Sequence, residues 1–322
     1  MARSWPSVTV TAALFAILVS APTAHGAFPG RNGFITYVHS SYSSDEEGLG
    51  PTTSELSLMA GPLLGGDRYT LRSCRRIDDL PQDSACADSV GSPAYSSDGQ
   101  LLVVDAGKQL AILDSDGSDF RLLPPQTADD GEPVWAPDGK RIAFTGVPSG
   151  QTSPDVYVLN VAKGTSRRLT TTGGRSPAWS SRNRIAYVTR YSSVIGRPPR
   201  GQLAIVKPNG SGRRRLTRKG GLAPTWSPHA TKIAFVRRGY LYVMDANTKH
   251  LRRVGGRRPI SADDVAWSPN GRLLAYHAFE SGILVVRADG TGEREFELGA
   301  TSANAAYDSS APDWQPLPRR RR

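Results

Sequence analysis

Charged and aromatic residues that could bind a partner or act on a substrate fall in polar segments between short apolar runs. Acids beside arginines can recognise complementary charges, a tyrosine adds an aromatic contact, and paired acids can support a hydrolase or a lyase. Seven residues form the candidate binding set: Asp129, Glu132, Arg175, Arg190, Tyr191, Asp263 and Asp264.

Motifs for enzyme chemistry are missing from the sequence. It contains no Gly-x-Ser-x-Gly, the turn that presents a nucleophilic serine in α/β hydrolases. Its histidines are never spaced as His-x-x-x-His. Residues 114–119 begin like a calcium loop but lack the distal glutamate of an EF-hand, so we expect a plain turn. The sequence therefore predicts a binding protein with no metal and no cofactor; Asp263 and Asp264 leave a hydrolase or a lyase as an alternative.

The first 26 residues have the pattern of a secretory signal. Arg3 gives a positive start, residues 8–19 are apolar, and Ala24-His25-Gly26 resembles the small-residue site at which such signals are cleaved. The apolar stretch is shorter than the roughly 20 residues that a membrane-spanning helix needs, and no later segment is apolar enough. We therefore predict an exported protein without a transmembrane segment, located in the periplasm, in the cell envelope or outside the cell.

The exported part is expected to form one domain over residues 27–318, followed by a basic disordered tail at 319–322. Cys74 and Cys86 remain after export, and an oxidising compartment favours a disulfide bond between them. Closing so short a loop would stabilise the fold by about 3 kcal/mol through the unfolded state. We interpret this disulfide as structural because the two cysteines have neither a C-x-x-C spacing nor a nearby histidine.

A repeat of 40 to 47 residues organises this domain. Each unit has an aromatic residue, a polar turn such as APDG at 136–139, and a short apolar strand such as RIAF at 141–144. Asp-Gly and Asn-Gly turns between apolar runs predict hairpins, because both turn positions tolerate a positive φ angle. Each unit therefore predicts four antiparallel strands. The repeated aromatic residues are Tyr95, Trp135, Trp179, Trp226, Trp267 and Trp314.

Units of this size predict a β-propeller, since a small sheet cannot bury both of its faces unless it stacks on neighbouring sheets. The last aromatic residue, Trp314, has no second strand after it, whereas residues 31–37 supply the strand that normally follows. We therefore predict an all-β, six-bladed propeller in which the C-terminal strand pairs with the N-terminal blade. The aromatic residues are expected to pack between blades.

Segments such as WAPDG at 135–139 and WSPNG at 267–271, with the apolar strands that follow them, resemble the TolB-like (WD40-like) propeller repeat over essentially all of residues 27–318. The pattern of that repeat is Trp-Ser-Pro-Asp-Gly, then Ile-Ala-Phe, Leu-Tyr, Asp-Gly and Leu-Thr. The resemblance implies the propeller fold and a protein partner in the envelope, as TolB itself is a periplasmic partner of a peptidoglycan-associated lipoprotein. TolB carries an additional α/β domain before its propeller. We do not expect that domain here, because the first blade begins within about ten residues of the predicted cleavage site.

Long and short loops are expected on opposite faces of the propeller. The turns within hairpins are short, whereas insertions fall in the loops between second and third strands and between blades, for example at 146–155 and 189–201. Variable loops on a rigid framework commonly carry binding residues. We predict that an envelope or extracellular protein binds this face through the candidate set. A glycan or a small ligand at the mouth of the central channel is the alternative.

The chain is basic, with a formal net charge of +11 at pH 7, and arginine runs recur on the predicted outermost strands at 167–168, 213–215 and 252–253. Charges on an exposed strand edge prevent edge-to-edge aggregation, and the same rim could attract an anionic envelope polymer. Nucleic acid is not expected, because export removes it and no basic module with interleaved aromatic residues is present. We expect a monomer.

Overall fold

The structure is a computed structural model of the 322-residue chain. Cys86, Asp263, the predicted tail and all but two residues of the predicted signal lie outside the residues that it describes, so the disulfide stays a prediction. The described residues are 23–24, 27–43, 53–61, 69–77, 90–194, 197–255, 264–278, 282–297, 301–302 and 305–318.

Short strands joined by turns make up the described chain. The first eight are β1 (Thr23–Ala24), β2 (Arg31–Ser43), β3 (Thr53–Gly61), β4 (Tyr69–Ile77), β5 (Val90–Tyr95), β6 (Leu101–Ala106), β7 (Gln109–Asp114) and β8 (Arg121–Leu122). The next eight are β9 (Asp129–Trp135), β10 (Arg141–Val147), β11 (Asp155–Asn160), β12 (Thr165–Arg168), β13 (Arg175–Trp179), β14 (Ile185–Val194), β15 (Arg197–Val206) and β16 (Arg214–Arg215). The last ten are β17 (Leu222–Trp226), β18 (Lys232–Arg237), β19 (Tyr240–Asp245), β20 (Arg252–Arg253), β21 (Asp264–Trp267), β22 (Leu273–Ala278), β23 (Gly282–Arg287), β24 (Arg294–Glu297), β25 (Thr301–Ser302) and β26 (Ala305–Leu317).

Among the described residues, these strands pair into six sheets, each built on four antiparallel strands. Four sheets consist of consecutive strands: β5 to β8, β9 to β12, β13 to β16 and β17 to β20. The sheet of β21 to β24 has β1 added in parallel to β21. The remaining sheet joins β26 to β2, β3 and β4, with Trp314 opposite Ile35, and β25 lies at its edge.

The sheets follow one another around a ring. Strands β5, β9, β13, β17, β21 and β26 each contact the next in this series, and β26 in turn contacts β5. These six strands are therefore the innermost strands of their sheets, and β8, β12, β16 and β20 are outermost. The arrangement confirms the predicted all-β propeller of four-stranded antiparallel blades.

The repeated aromatic residue lies near the end of each innermost strand and is buried between blades. Trp135, for example, shares one apolar cluster with Ile142 and Phe144 of its own blade and with Val103 and Ile112 of the preceding blade. Its predicted packing role is confirmed, since burial of such large apolar surfaces is the main favourable contribution to folding. All six aromatic residues are at most 3% exposed: Tyr95, Trp135, Trp179, Trp226, Trp267 and Trp314.

A serine directly after the aromatic residue holds the first hairpin of four blades. Its hydroxyl oxygen accepts a hydrogen bond from a backbone N–H at the far side of the turn, at 2.9–3.0 Å. Short polar side chains commonly satisfy turn backbone in this way, which explains the serine of the repeat. The pairs are Leu101 to Ser96, Arg184 to Ser180, Lys232 to Ser227 and Leu273 to Ser268.

The outermost strands carry the predicted arginine pairs, and some of these arginines join neighbouring blades. Arg252 of β20 donates hydrogen bonds to the carbonyl oxygens of Ala288 (2.6 Å) and Asp289 (3.2 Å) in the next blade. Arg167 of β12 likewise donates to the carbonyl oxygen of Pro208. The rim arginines therefore have a structural role between blades that the sequence analysis did not predict.

The described end of the predicted signal lies inside the ring. Strand β1 pairs with β21 and also contacts the innermost strands β9, β13 and β17. It therefore occupies the centre of the propeller. The described residues include no helix with the length and apolar character of a membrane span.

Replacing a buried tryptophan tests the packing between blades. Trp267 belongs to the cluster that joins the blade of β17–β20 to the blade of β21–β24, and truncating a buried tryptophan costs about 3–5 kcal/mol. We expect Trp267→Ala to lower the free energy of unfolding by this amount in urea denaturation followed by circular dichroism. Leu251→Ala, which truncates a side chain that is 46% exposed, is the control. Equal losses in both variants would contradict the role given to the tryptophan.

Candidate functional site

Two kinds of loop meet on one face of the propeller, which we call the long-loop face. It holds the loops between the second and third strands of each blade and the connections between blades. Backbone hydrogen bonds join the two kinds: Asp130 N–H donates to the Lys108 carbonyl, and Gly221 N–H to the Gly201 carbonyl. Since the innermost strands begin on this face, their first residues surround the mouth of the central channel.

Four innermost strands have a β-bulge at the residue three positions before the aromatic residue. The pairing with the second strand changes register there. A left-handed backbone in a residue other than glycine costs on the order of 1 kcal/mol or more, and bulges commonly redirect groups at sites. At Glu132 and Ser176 the bulge turns the backbone N–H toward a carboxyl of the preceding blade, that of Asp105 and that of Glu132 respectively. The four residues, with φ angles of 45–51°, are Ser92, Glu132, Ser176 and Ala223.

The carboxylate of Glu132 is the centre of a buried network between two blades. Its Oε1 accepts hydrogen bonds from Arg175 Nη2 (2.7 Å) and Nε (3.2 Å). Its Oε2 accepts from the backbone N–H of Ser176 (2.6 Å) and from the hydroxyl of Thr145. The Glu132 side chain is 2% exposed and that of Arg175 is 14% exposed. A buried carboxylate is costly unless it is paired and hydrogen-bonded, and these four donors meet that condition.

Arg175 connects this network to the predicted aromatic contact. Its guanidinium carbon lies 4.4 Å from the centre of the Tyr191 ring, and Tyr191 is half-buried. Such a cation–π contact contributes about 0.5–2 kcal/mol. Arg190, the neighbour of Tyr191 in β14, is exposed and has a φ angle of 54° at an irregular step of the strand. Glu132, Arg175 and Tyr191 therefore form one contiguous group, and Arg190 adjoins it along the chain.

The three remaining predicted residues have different outcomes. Asp129 is exposed at the start of β9, on the same strand as Glu132. Asp264 begins β21, where its backbone lies opposite Thr23 of β1. Asp263 lies outside the described residues, so the pairing of Asp263 with Asp264 stays a prediction.

Asp105, on the second strand of its blade, is a residue of this region that the sequence analysis missed. The Ser92 hydroxyl and the Glu132 backbone N–H interact with its carboxyl, whose buried Oδ1 accepts no hydrogen bond from the described residues. The carboxyl packs against two glycines: a methyl group built on Gly91 or Gly131 would lie in ordinary contact with its oxygens, at 3.5–3.7 Å. Burial raises the pKa of Asp105 to about 7, and the charge of Glu132 also raises it. The signal available in the sequence was an acid closing the apolar strand LLVVD at 101–105.

Asp129 and Arg190, the exposed neighbours of this group along the chain, are the residues that can contact another molecule. Glu132 is already neutralised by Arg175 and enclosed, whereas Asp129 and Arg190 face solvent. In the part of the chain that the structure describes, no group of three or more His, Cys, Asp or Glu side chains could hold a metal ion. Residues 114–119 form a turn in which Asp116 accepts hydrogen bonds from Ser118. The arrangement is suited to recognition of charged and aromatic groups.

Asp105→Asn tests the buried carboxyl through the pH dependence of stability. An unfolded aspartate has a pKa of about 3.9 and Asp105 one of about 7, so between these values the folded protein binds more protons. The stability from this group is therefore full below pH ~4 and is lost as the pH rises to ~7, by on the order of 1 kcal/mol per pH unit. We expect Asp105→Asn to lose less stability than the wild type over this range in urea denaturation.

The control for this pH series is Asp119→Asn, which replaces an exposed acid of the same blade. It should follow the wild-type curve. Parallel curves for Asp105→Asn and the wild type would show that the Asp105 carboxyl does not have a raised pKa.

A double-mutant cycle of Glu132→Gln and Arg175→Gln measures the ion pair between the blades. Each single substitution leaves one charge of a buried pair uncompensated, which costs about 3 kcal/mol or more. We expect the double variant to be more stable than the sum of the single losses predicts, with a coupling energy of about 1–3 kcal/mol. Additive losses in urea denaturation would contradict a direct interaction.

Comparison with known proteins agrees with this architecture. Residues 81–238 match the family model described as the TolB beta propeller domain. TolB from Acinetobacter baumannii has a similar structure, with a TM-score of 0.64 and 20% identity over 88% of this chain and 67% of that chain. The putative TolB from Agrobacterium tumefaciens gives a TM-score of 0.58 and 14% identity over 88% of this chain and 99% of that chain.

A third similar structure is that of an enzyme, oligogalacturonate lyase in complex with manganese. Its TM-score is 0.50, with 12% identity over 85% of this chain and 87% of that chain. At these identities the solved structures show a shared fold alone. No curated protein matches the sequence. Residues 81–238 therefore belong to the TolB beta propeller family, and the blades on either side repeat the same four-stranded architecture.

Proposed function

We propose that this protein is an exported binding scaffold, built as a closed ring of six blades, whose long-loop face holds a protein partner in the cell envelope or outside the cell. The observation that carries the proposal is the group of Glu132, Arg175 and Tyr191. Exposed Asp129 and Arg190 belong to the same strands as members of this group. One partner of mixed charge would therefore meet an acid, a base and an aromatic ring together.

The rigidity of this group favours binding. The Glu132 carboxylate is bonded to β10 of its own blade and to β13 of the next blade. Arg175 and the Tyr191 ring beside it therefore have fixed positions before a partner arrives. Side chains that are already ordered lose little conformational entropy on association. Tyrosine and arginine are also the residue types that most often dominate binding energy at protein interfaces.

The proposal includes export and cleavage of the signal after Gly26. Thr23 and Ala24 precede that site, so cleavage would remove β1 from its pairing with β21. The edge of β21 would then face the central channel. An extended segment of the partner could pair there, because strand addition to an open sheet edge is a common mode of peptide binding.

The proposal assigns no catalytic residue. Glu132 is paired with Arg175 and enclosed, so its carboxyl is not open to a substrate. The lyase among the similar structures shares the fold, and a shared propeller does not carry activity with it.

Crosslinking and pull-down from envelope extract test the protein-binding function. The bait is the chain from Ala27 onward, and the variant is Arg190→Ala with Tyr191→Ala. Since truncation of such interface residues costs about 2 kcal/mol or more, we expect the wild type to capture a discrete protein and the variant to lose at least ~10-fold of it. The captured protein is then produced and titrated against both baits.

The matched control is Arg182→Ala with Arg184→Ala, which removes two exposed arginines from the opposite face of the same blade. It should capture as the wild type does. Equal capture by all three baits would contradict the proposed face. If none of the baits captures a protein, a glycan or a small ligand becomes the candidate. Cell-wall fragments or sugars that bind the native state would raise its stability, which a thermal shift detects.

A further inference from the structure

Charge is distributed very unevenly around the propeller. The blades of β13–β16 and β17–β20, residues 175–255, contain 18 Lys and Arg residues and one acid, Asp245. The rest of the chain has 22 Lys and Arg residues against 28 Asp and Glu residues. Two adjacent blades, which we call the basic sector, therefore carry all of the excess positive charge.

The cations of the basic sector lie on all of its outer surfaces. Exposed cations occur on the long-loop face, on the opposite face, which holds the short turns, and on the outermost strand β16. Eleven of them belong to none of the sector's described ion pairs, which are Arg175–Glu132, Lys232–Asp245 and His250–Asp245. These eleven are Arg190, Arg200, Arg218, Lys219 and Arg238 on the long-loop face, Arg182, Arg184, Lys207 and Lys249 on the short-turn face, and Arg214 and Arg215 on β16.

A cavity of about 510 Å³ opens where the basic sector meets the blade of β21–β24. Arg252, Arg272 and Arg287 line it, together with Asp289. The carboxylate of Asp289 is occupied by hydrogen bonds from the backbone and hydroxyl of Thr291. Three guanidinium groups around one cavity favour an anionic group, since arginine binds phosphate and carboxylate in bidentate fashion.

We propose that the basic sector binds a flexible linear polyanion, one that carries phosphodiester or carboxylate groups on a carbohydrate or polyol backbone. A flat bilayer would contact the cations of one face, whereas a flexible chain can follow them over both faces and around β16. This inference goes beyond the proposed function and does not depend on it, because none of the cations substituted in its test belongs to the Glu132, Arg175 and Tyr191 group.

The aromatic residues of the sector favour this class over nucleic acid. Proteins that hold single-stranded nucleic acid stack its bases on aromatic rings. Here the half-buried tyrosine rings are covered by arginines of the sector itself, at 3.7–5.7 Å from guanidinium carbon to ring centre. An arginine thus already occupies one face of each of these three rings, where a base would otherwise stack. The pairs are Arg175 on Tyr191, Arg237 on Tyr242 and Arg253 on Tyr240.

Binding of two defined polymers, poly(glycerol phosphate) and alginate, tests the proposal. The purified protein is titrated with each between about 50 and about 200 mM salt, where release of counterions makes polyanion binding salt-dependent. Two triple variants remove charge from separate faces: Arg200→Gln, Arg218→Gln and Arg238→Gln on the long-loop face, and Arg184→Gln, Lys207→Gln and Lys249→Gln on the short-turn face. We expect each to weaken binding at least ~10-fold at low salt and to reduce the salt slope by about 2.

The matched control removes three exposed cations outside the sector, through Lys108→Gln, Arg121→Gln and Lys140→Gln. It should change the affinity less than about 3-fold, although its net charge falls by the same amount. Thermal unfolding checks that all variants fold, which is expected because every substituted side chain is exposed.

Several results would overturn the proposal. One such result is that the protein binds neither polymer at low salt. Another is that the control variant loses as much affinity as the two triple variants, since the loss would then follow from net charge alone. Weakening by one triple variant alone would contradict a chain that follows both faces. Tighter binding of a duplex DNA or of anionic phospholipid vesicles than of either polymer would assign the sector to nucleic acid or to membrane. The Arg190 and Tyr191 variant of the pull-down retains all six residues that the two triple variants replace. The two proposals can therefore fail independently.

Discussion

Each blade of this propeller is a thin sheet with two apolar faces, and neither face can be kept from water except by another blade. The apolar clusters accordingly run across blade boundaries: Trp135 lies with Val103 and Ile112 of the preceding blade, and Trp179 with Val134 and Val156. Cohesion between neighbours is therefore the same interaction that stabilises each sheet.

Polar contacts at the innermost strands add specificity to this apolar cohesion. Glu132 bonds to Arg175 and Ser176 of the following blade. Asp313, buried in β26, accepts a 2.8 Å hydrogen bond from the Tyr95 backbone N–H of the following blade, and burial raises its pKa to about 8. Such buried polar pairs contribute little net stability. A buried carboxyl that lacked its partner would destabilise the fold, so these pairs determine which blade surfaces can meet. Neighbouring blades with nearly identical repeats are thus distinguished by particular carboxyls.

Much of the fold could be predicted from the sequence, because its information is periodic. The aromatic residues, the Asp-Gly turns and the split between residues 31–37 and Trp314 predict the strands, the blades and the pairing of β26 with β2. The site was predicted in part. Glu132, Arg175 and Tyr191 were expected on one face, but their mutual contacts depend on a bulge and on blade packing, which no local pattern encodes.

The features that sequence reasoning missed are those that depend on neighbours distant along the chain. The Asp105 carboxyl is enclosed because it packs against Gly91 of its own blade and Gly131 of the next blade. The rim arginines were expected to face solvent, whereas Arg252 and Arg167 bond to carbonyls of the next blade. In both cases the residue type can be read from the sequence, whereas the residues that it contacts in the fold cannot.

The pairing of β26 with β2 has a consequence for the order of folding. Apart from β1, which is added to the sheet of β21–β24, the other sheets are made of consecutive strands and can form from local contacts, whereas this one joins segments from opposite ends of the described chain. The entropy lost in closing so long a loop makes such contacts slow to form. In a chain that crosses a membrane with its N-terminus leading, β2 would emerge early and wait with one edge unpaired until β26 arrives. The segment that enters the new compartment first would then be among the last to reach its native structure.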